Sequence, residues 1–255
     1  MHDLTFWLVA VAAVFMVGIS KSGLVSSMGL IAVPLLAQVM PPRDAAGMML
    51  PLLLVMDAIA IWTYRKDANW TILWIMIPGA MVGTIIGWLL WSVVTDAVVN
   101  MLVGMISVSF VLWALSPYSK KIVNAHPSRP WGTFWGGVGG FTSFISHTGG
   151  PPFQIYVLPQ RLAPVIYSGT TAFFFGIVNT SKLIPYGFLG QLNVSNMTAA
   201  AFLTPVAIAG VLVGVALVRR ISTTLFYYIA YAMVFVLGLK LIYDGVTGML
   251  QTGVT

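Results

Sequence analysis

Lys182 stands in the apolar run AFFFGIVNTSKLIPY that extends from Ala172 to Tyr186, one turn after Asn179 and beside Thr180 and Ser181. An ammonium at membrane depth is costly, so it normally faces a bundle interior or a wet cavity. A second lysine, Lys21, interrupts the first apolar segment within Gly18-Ile-Ser-Lys-Ser-Gly23. Two lysines in broken hydrophobic segments suit the handling of an anion. A second reading stays open for each. Lys182 is close enough to Tyr186 to snorkel to an interface, and Lys21 can cap its break by binding backbone carbonyls.

Two polar, glycine-rich breaks carry the remaining anion chemistry. One runs from Ser20-Lys21-Ser22-Gly23 through Ser26-Ser27-Met28-Gly29. The other runs from Thr142-Ser143 through Ser146-His147-Thr148-Gly149-Gly150-Pro151-Pro152. Irregular backbone inside a membrane is tolerated only where protein buries it or water reaches it. Where a helical arm opens after such a break, free N–H groups and the positive dipole end face the gap. The hydroxyls of Ser26, Ser27, Ser146 and Thr148 add neutral donors, and Gly149 and Gly150 allow close approach. The candidate anion-binding residues are therefore Lys21, Ser26, Ser27, Ser146, His147, Thr148, Gly149, Gly150, Asn179 and Lys182. The plainer reading is that the glycines serve helix packing and that His147 is a hydrogen-bonded structural residue.

Asp57, in Leu54-Val-Met-Asp-Ala-Ile, is the one carboxylate expected well inside a long helix. It can accept a proton and couple flux to it, or act as counter-ion to a lysine. Lys240, near the end of the last helix, is expected to snorkel. Asp44 opens a helix and complements its dipole.

The elements that position these residues are written twice. Pro78, Gly83 and Gly87 align with Pro205, Gly210 and Gly214. Asp57 and Tyr64 fall opposite Asn179 and Tyr186, and Gly18 and Gly29 opposite Gly139 and Gly150. Each half reads as a broken, glycine-rich hairpin followed by three transmembrane helices. The first half (1–116) has arms at Leu4–Ser20 and Ser26–Met40, then helices at Asp44–Tyr64, Trp70–Trp91 and Asp96–Leu115. A basic cytoplasmic loop (117–130) leads to the second half (131–255). That half has arms at Trp131–Phe144 and Pro151–Leu158, then helices at Ala163–Tyr186, Met197–Val218 and Thr223–Asp244. The second hairpin's arms are too short for two crossings, which favours a re-entrant element.

Loop charge sets the orientation. Arg65, Lys66, Lys120, Lys121, Arg129, Arg161, Arg219 and Arg220 all fall in the cytoplasm if both termini lie outside, leaving Arg43 as the outer loop cation. Counterpart loops then carry opposite bias: the Arg65/Lys66 turn is basic, whereas Gly187–Asn196 has no Lys or Arg. This is the pattern of inverted repeats. Four crossings per half would instead give parallel repeats. The clustered Trp62, Tyr64, Trp70, Trp88, Trp91, Trp131 and Trp135 fit interfacial belts.

Composition narrows the function. Hydrophobic residues make up 59% of the chain and charged residues 7%, and there is no cysteine. Mean hydropathy is +0.95, and nearly all of the chain falls into apolar blocks. These figures speak against a soluble domain and exclude thiol chemistry. No metal or cofactor site is expected. The net charge of +6 lies at membrane borders, so it speaks for orientation in the lipid bilayer and not for nucleic acid. Met1-His2-Asp3 lacks the basic stretch of a signal peptide. An intramembrane hydrolase is disfavoured, since Ser146 and His147 are adjacent and no Gly-x-Ser-x-Gly motif is present. A passive anion channel remains an alternative to a carrier.

These features resemble the TauE/SafE family of membrane permeases, also called the sulfite exporter family. The likeness lies in the duplicated halves and their motifs. Here these read Gly18-x4-Gly23-x5-Gly29-x4-Pro34 and Gly139-Gly140…Gly149-Gly150-Pro151, with Ala46-Gly47-Met48 and Ser168-Gly169-Thr170-Thr171 following. The first half departs, with Ser26-Ser27-Met28-Gly29 where the family usually has a glycine cluster. The resemblance implies a multi-pass protein of the cytoplasmic (inner) membrane. It also implies a secondary transporter of sulfite, sulfonates or related small organosulfur anions, often directed outward.

Overall fold

In a computed structural model the chain is helical, with no strand among the described residues, which are 4–23, 35–36, 39–40, 42–116, 128–190 and 194–252. In chain order the helices are α1 (Leu4–Lys21), α2 (Pro42–Thr63), α3 (Trp70–Leu89), α4 (Asp96–Leu115), α5 (Arg129–Ser146) and α6 (Gly150–Val157). A 3-10 turn (Leu158–Gln160) then precedes α7 (Pro164–Ser181), α8 (Leu183–Phe188), α9 (Val194–Arg220) and α10 (Thr223–Thr252). Among the described residues, five helices are long and apolar enough to cross a membrane: α1, α3, α4, α9 and α10. The helices α2 and α7 are not among them, and these carry Asp57 and Asn179.

Most expected boundaries stand within a turn. Two helices differ. The helix expected over Ala163–Tyr186 is divided at Lys182 into α7 and α8. Pro185 has no N–H to give the Ser181 carbonyl, while the Lys182 N–H bonds the Asn179 carbonyl at 3.2 Å. The last helix extends to Thr252, so Asp244 lies inside α10, where it forms an ion pair with Lys240. Lys240 was expected simply to snorkel; its ammonium has a carboxylate one turn away. The second arm of the first hairpin, expected over Ser26–Met40, lies largely outside the described residues. Trp135, expected in an interfacial belt, is buried, whereas Trp62, Trp70, Trp88 and Trp131 are exposed.

The chain divides into two compact units that each draw on both sequence halves: 1–69 with 164–226, and 70–163 with 227–255. In the first unit, α9 packs along α1 and α2, and α2 packs on α7. The α1–α9 crossing depends on glycine. A Cβ on Gly18 would stand 2.9 Å from the Gly210 Cα and from the Ala207 carbonyl oxygen. In the second unit α3 and α5 form an equally close pair, where a Cβ on Gly83 would collide with the backbone of Gly137. Thr133 Oγ1 donates across that seam to the Ile75 carbonyl at 3.0 Å. There α4 also meets α10, and the Gly104 backbone lies against Gly238. The short α6 is only eight residues, about 12 Å, and cannot cross a hydrocarbon core of about 30 Å. It is buried along its whole length.

Candidate functional site

The first unit gathers four of the residues singled out for their chemistry. Lys21 is the last residue of α1, and Asp57 lies in the middle of α2. Asn179 belongs to the last turn of α7, and Lys182 sits at the break after it. Lys21 Nζ donates to Asp57 Oδ1 at 2.6 Å. Asn179 Nδ2 donates to Asp57 Oδ2, also at 2.6 Å. Each carboxylate oxygen therefore holds a donor from a different helix. The Lys21 ammonium also lies 5.5 Å from the centre of the Phe175 ring, a cation–π contact from one turn earlier on α7. Phe175, Asn179 and Lys182 follow at helical spacing and share one face.

Burial makes this cluster unusual. Asp57 and Asn179 are each 2% exposed and Lys182 is 0% exposed. Lys182 therefore does not snorkel. It lies within electrostatic range of both Lys21 and Asp57. Two buried or nearly buried ammonium groups around one carboxylate carry a formal excess of one positive charge. Taking such groups from water costs several kcal/mol each, so partners must be well placed. Lys21 keeps 14% side-chain exposure, which marks the side on which the cluster meets space not filled by protein.

The local backbone explains why Lys21 points here. Ser22 Oγ folds back to donate to the Ile19 carbonyl at 2.6 Å, ending α1. Gly23 follows with φ of 92°, a left-handed conformation that glycine adopts without strain. Tyr64, at the end of α2, donates its hydroxyl to the Ser22 carbonyl at 3.1 Å and pins the turn. On the α7 side, Thr170 Oγ1 accepts the Asn69 N–H at 2.9 Å. Lys21 thus pairs with a carboxylate on another helix.

Ser26 and Ser27 lie outside the described residues. The remaining predicted residues, Ser146, His147, Thr148, Gly149 and Gly150, belong to the second unit. There α5 ends at His147 in the left-handed region, with φ of 55°. Ser146 and Thr148 share a hydrogen bond of 2.8 Å between their hydroxyls. Thr148 N–H donates to the Thr142 carbonyl at 3.2 Å. A Cβ on Gly149 would stand 2.6 Å from the Gly139 carbonyl oxygen, so this glycine serves close packing. These hydroxyls are engaged within their own turn. Among the described residues, no group of His, Cys, Asp and Glu could hold a metal ion.

One member of the site, Tyr64, escaped sequence reasoning, since it reads as an interfacial aromatic. Phe175 reads either as shaping a cavity ahead of Lys182 or as ordinary packing, and the Lys21 contact favours the first. The direct contact of Asp57 with Asn179 did have a signal, since the two occupy equivalent positions in the two halves.

A family model described as "Sulfite exporter TauE/SafE" matches residues 10–241 of this chain. No curated protein and no solved structure matches it.

Proposed function

The chain belongs to the TauE/SafE sulfite exporter family, a transporter family, and is a multi-pass membrane protein; from that premise we propose that it is a secondary transporter, directed outward, of small organosulfur oxyanions such as sulfite or sulfonates. The observation that carries this reading is the buried Lys21–Asp57–Asn179–Lys182 cluster between α1, α2 and α7. Ammonium and amide donors that converge away from bulk water suit a compact oxyanion head, because charge-assisted hydrogen bonds are the strong ones. Lys21, Asn179 and Lys182 bind the anion. The glycine-rich break at Ser146, His147, Thr148, Gly149 and Gly150 is proposed to offer hydroxyl and backbone donors to the same class of anion.

The carrier works by alternating access, with two inverted halves rocking about the binding region. Gradients supply the energy. Asp57 is the point at which a proton acts: protonation removes the charge that holds Lys21 and releases that lysine to an anion. The protein resides in the cytoplasmic membrane with both termini outside.

Flux in proteoliposomes tests this reading. Labelled sulfite and a panel of sulfonates are offered with and without a pH gradient, and saturation and counter-substrate exchange are measured. Saturable flux that is stimulated by counter-substrate identifies a carrier. Non-saturating flux without exchange identifies a passive channel, and flux confined to carboxylates identifies a carrier of another anion class.

A further inference from the structure

We propose that Asp57 is a tethered stand-in for the transported anion. Its carboxylate occupies the place of the substrate's head group in the unloaded site, and substrate binds by displacing it. The inference deepens the anion-carrier reading and rests on it.

The geometry is that of an occupied anion site. The two Asp57 oxygens receive one donor each, Lys21 Nζ from α1 and Asn179 Nδ2 from α7, both at 2.6 Å. A carboxylate presents two oxygens on one trigonal carbon. A sulfite or sulfonate head presents the same pair on sulfur and adds a third oxygen. An oxyanion seated on these donors places two oxygens where Oδ1 and Oδ2 lie. Its third oxygen comes under the electrostatic influence of Lys182, which is fully buried one turn beyond Asn179.

Charge makes displacement necessary. With Asp57 in place, Lys21 is already paired. A second anion on the same donors sets like charges side by side, where they repel strongly at low dielectric. Substrate and Asp57 therefore exclude each other. Only one of the two repeat-equivalent positions is acidic, Asp57 against Asn179, so the site holds a single stand-in and makes room for a single head group.

Displacement also links loading to movement. In the unloaded protein, Lys21 and Asn179 both grip α2 through this one carboxylate. Substrate takes over both donors, and α2 loses its polar ties to α1 and α7 at this level in one step. A ligand shifts a conformational equilibrium only through a difference in its interactions with the two states. Here that difference is the exchange of an internal carboxylate for an external anion.

The test is equilibrium binding of methanesulfonate and of sulfite to the purified full-length protein. Asp57→Asn keeps the shape and the Asn179 contact but removes the competitor, and its Kd is expected to fall roughly tenfold, the scale of one charge-assisted hydrogen bond released. Lys21→Met is expected to weaken binding more in the Asp57→Asn background than in the unaltered one. Unchanged or weaker binding by Asp57→Asn, with normal binding by the unaltered protein, overturns the stand-in role and leaves the anion carrier intact. No binding of either anion by either protein overturns both. If Asp57→Asn does not fold, carbodiimide labelling of Asp57 in the unaltered protein, read by mass spectrometry, decides the matter. Saturating methanesulfonate is expected to increase labelling as the carboxylate is set free, and unchanged or reduced labelling overturns the proposal.

Discussion

Lys182 is the residue on which the anion reading leans most heavily. Its side chain is fully buried in an apolar segment and interacts electrostatically with Lys21 and Asp57. Lys182→Gln preserves length and hydrogen-bonding capacity while removing the charge. Labelled-anion flux is expected to fall roughly 10- to 100-fold, the loss of a charged hydrogen bond in a dry site. Expression and monodisperse elution should stay normal, since an uncharged side chain there relieves a desolvation penalty. Normal flux in this variant would leave Lys182 a structural residue. Asp57 makes a separate prediction about protons. With methanesulfonate, which stays ionised at any working pH, flux from the acidic side is expected to exceed flux from the neutral side. In the proposed coupling a proton on Asp57 would free Lys21 for the anion, and the sign follows from the Lys21–Asp57 pair. Asp57→Asn should abolish the difference, and a gradient response that survives in the variant would place the coupling proton elsewhere.

At the scale of elements, the site depends on how closely three helices can approach. Gly18 on α1 and Gly210 on α9 hold the backbones together, and α1 ends three residues later at Lys21. Gly210→Leu is expected to wedge α1 away from α9 and destabilise the protein by about 1–3 kcal/mol, the range for overpacking a filled interior. Thermal unfolding in detergent reads this, and an unshifted transition would mean that the seam is loose. Gly18 and Gly210 were visible as repeated positions, though not as partners, and most helix boundaries were legible, because apolar runs punctuated by charged turns record membrane crossings directly. Legible too were Lys21, Asp57, Asn179 and Lys182, since each contradicts an apolar setting. Their mutual contacts were not. Periodicity tells which residues share a face of one helix, whereas the pairing of Lys21 with Asp57 depends on tertiary packing between residues far apart in the chain. Pro185 was visible, but its effect is local: the loss of one carbonyl's partner divides α7 from α8 at Lys182. Thr252 marks the opposite error, where Asp244 looked like a helix end and was instead an interior residue satisfied by Lys240.

At the scale of the whole molecule, each compact unit holds a contact that agrees with the proposed duplication. In the first unit α2 packs on α7, its counterpart in the other half, and the contact runs through the equivalent residues Asp57 and Asn179. In the second unit α4 meets its counterpart α10. The glycine seams also exchange partners in parallel: α1 of the first half with α9 of the second, and α5 of the second half with α3 of the first. Whether the proposed repeats are inverted or parallel is decided by the side of the membrane on which their equivalent loops lie, and loop charge favours the inverted arrangement. The absence of cysteine makes the question direct to test. Lys66 and Phe188 occupy equivalent places after α2 and at the end of α8, and both are outside the apolar cores of their helices. Single variants Lys66→Cys and Phe188→Cys, probed in intact cells with a membrane-impermeant maleimide, should label differently, Phe188→Cys from outside and Lys66→Cys only after permeabilisation. Leu4→Cys and Leu250→Cys should both label from outside. If Lys66→Cys and Phe188→Cys label from the same side, the repeats are parallel, and rocking of inverted halves cannot be the transport cycle.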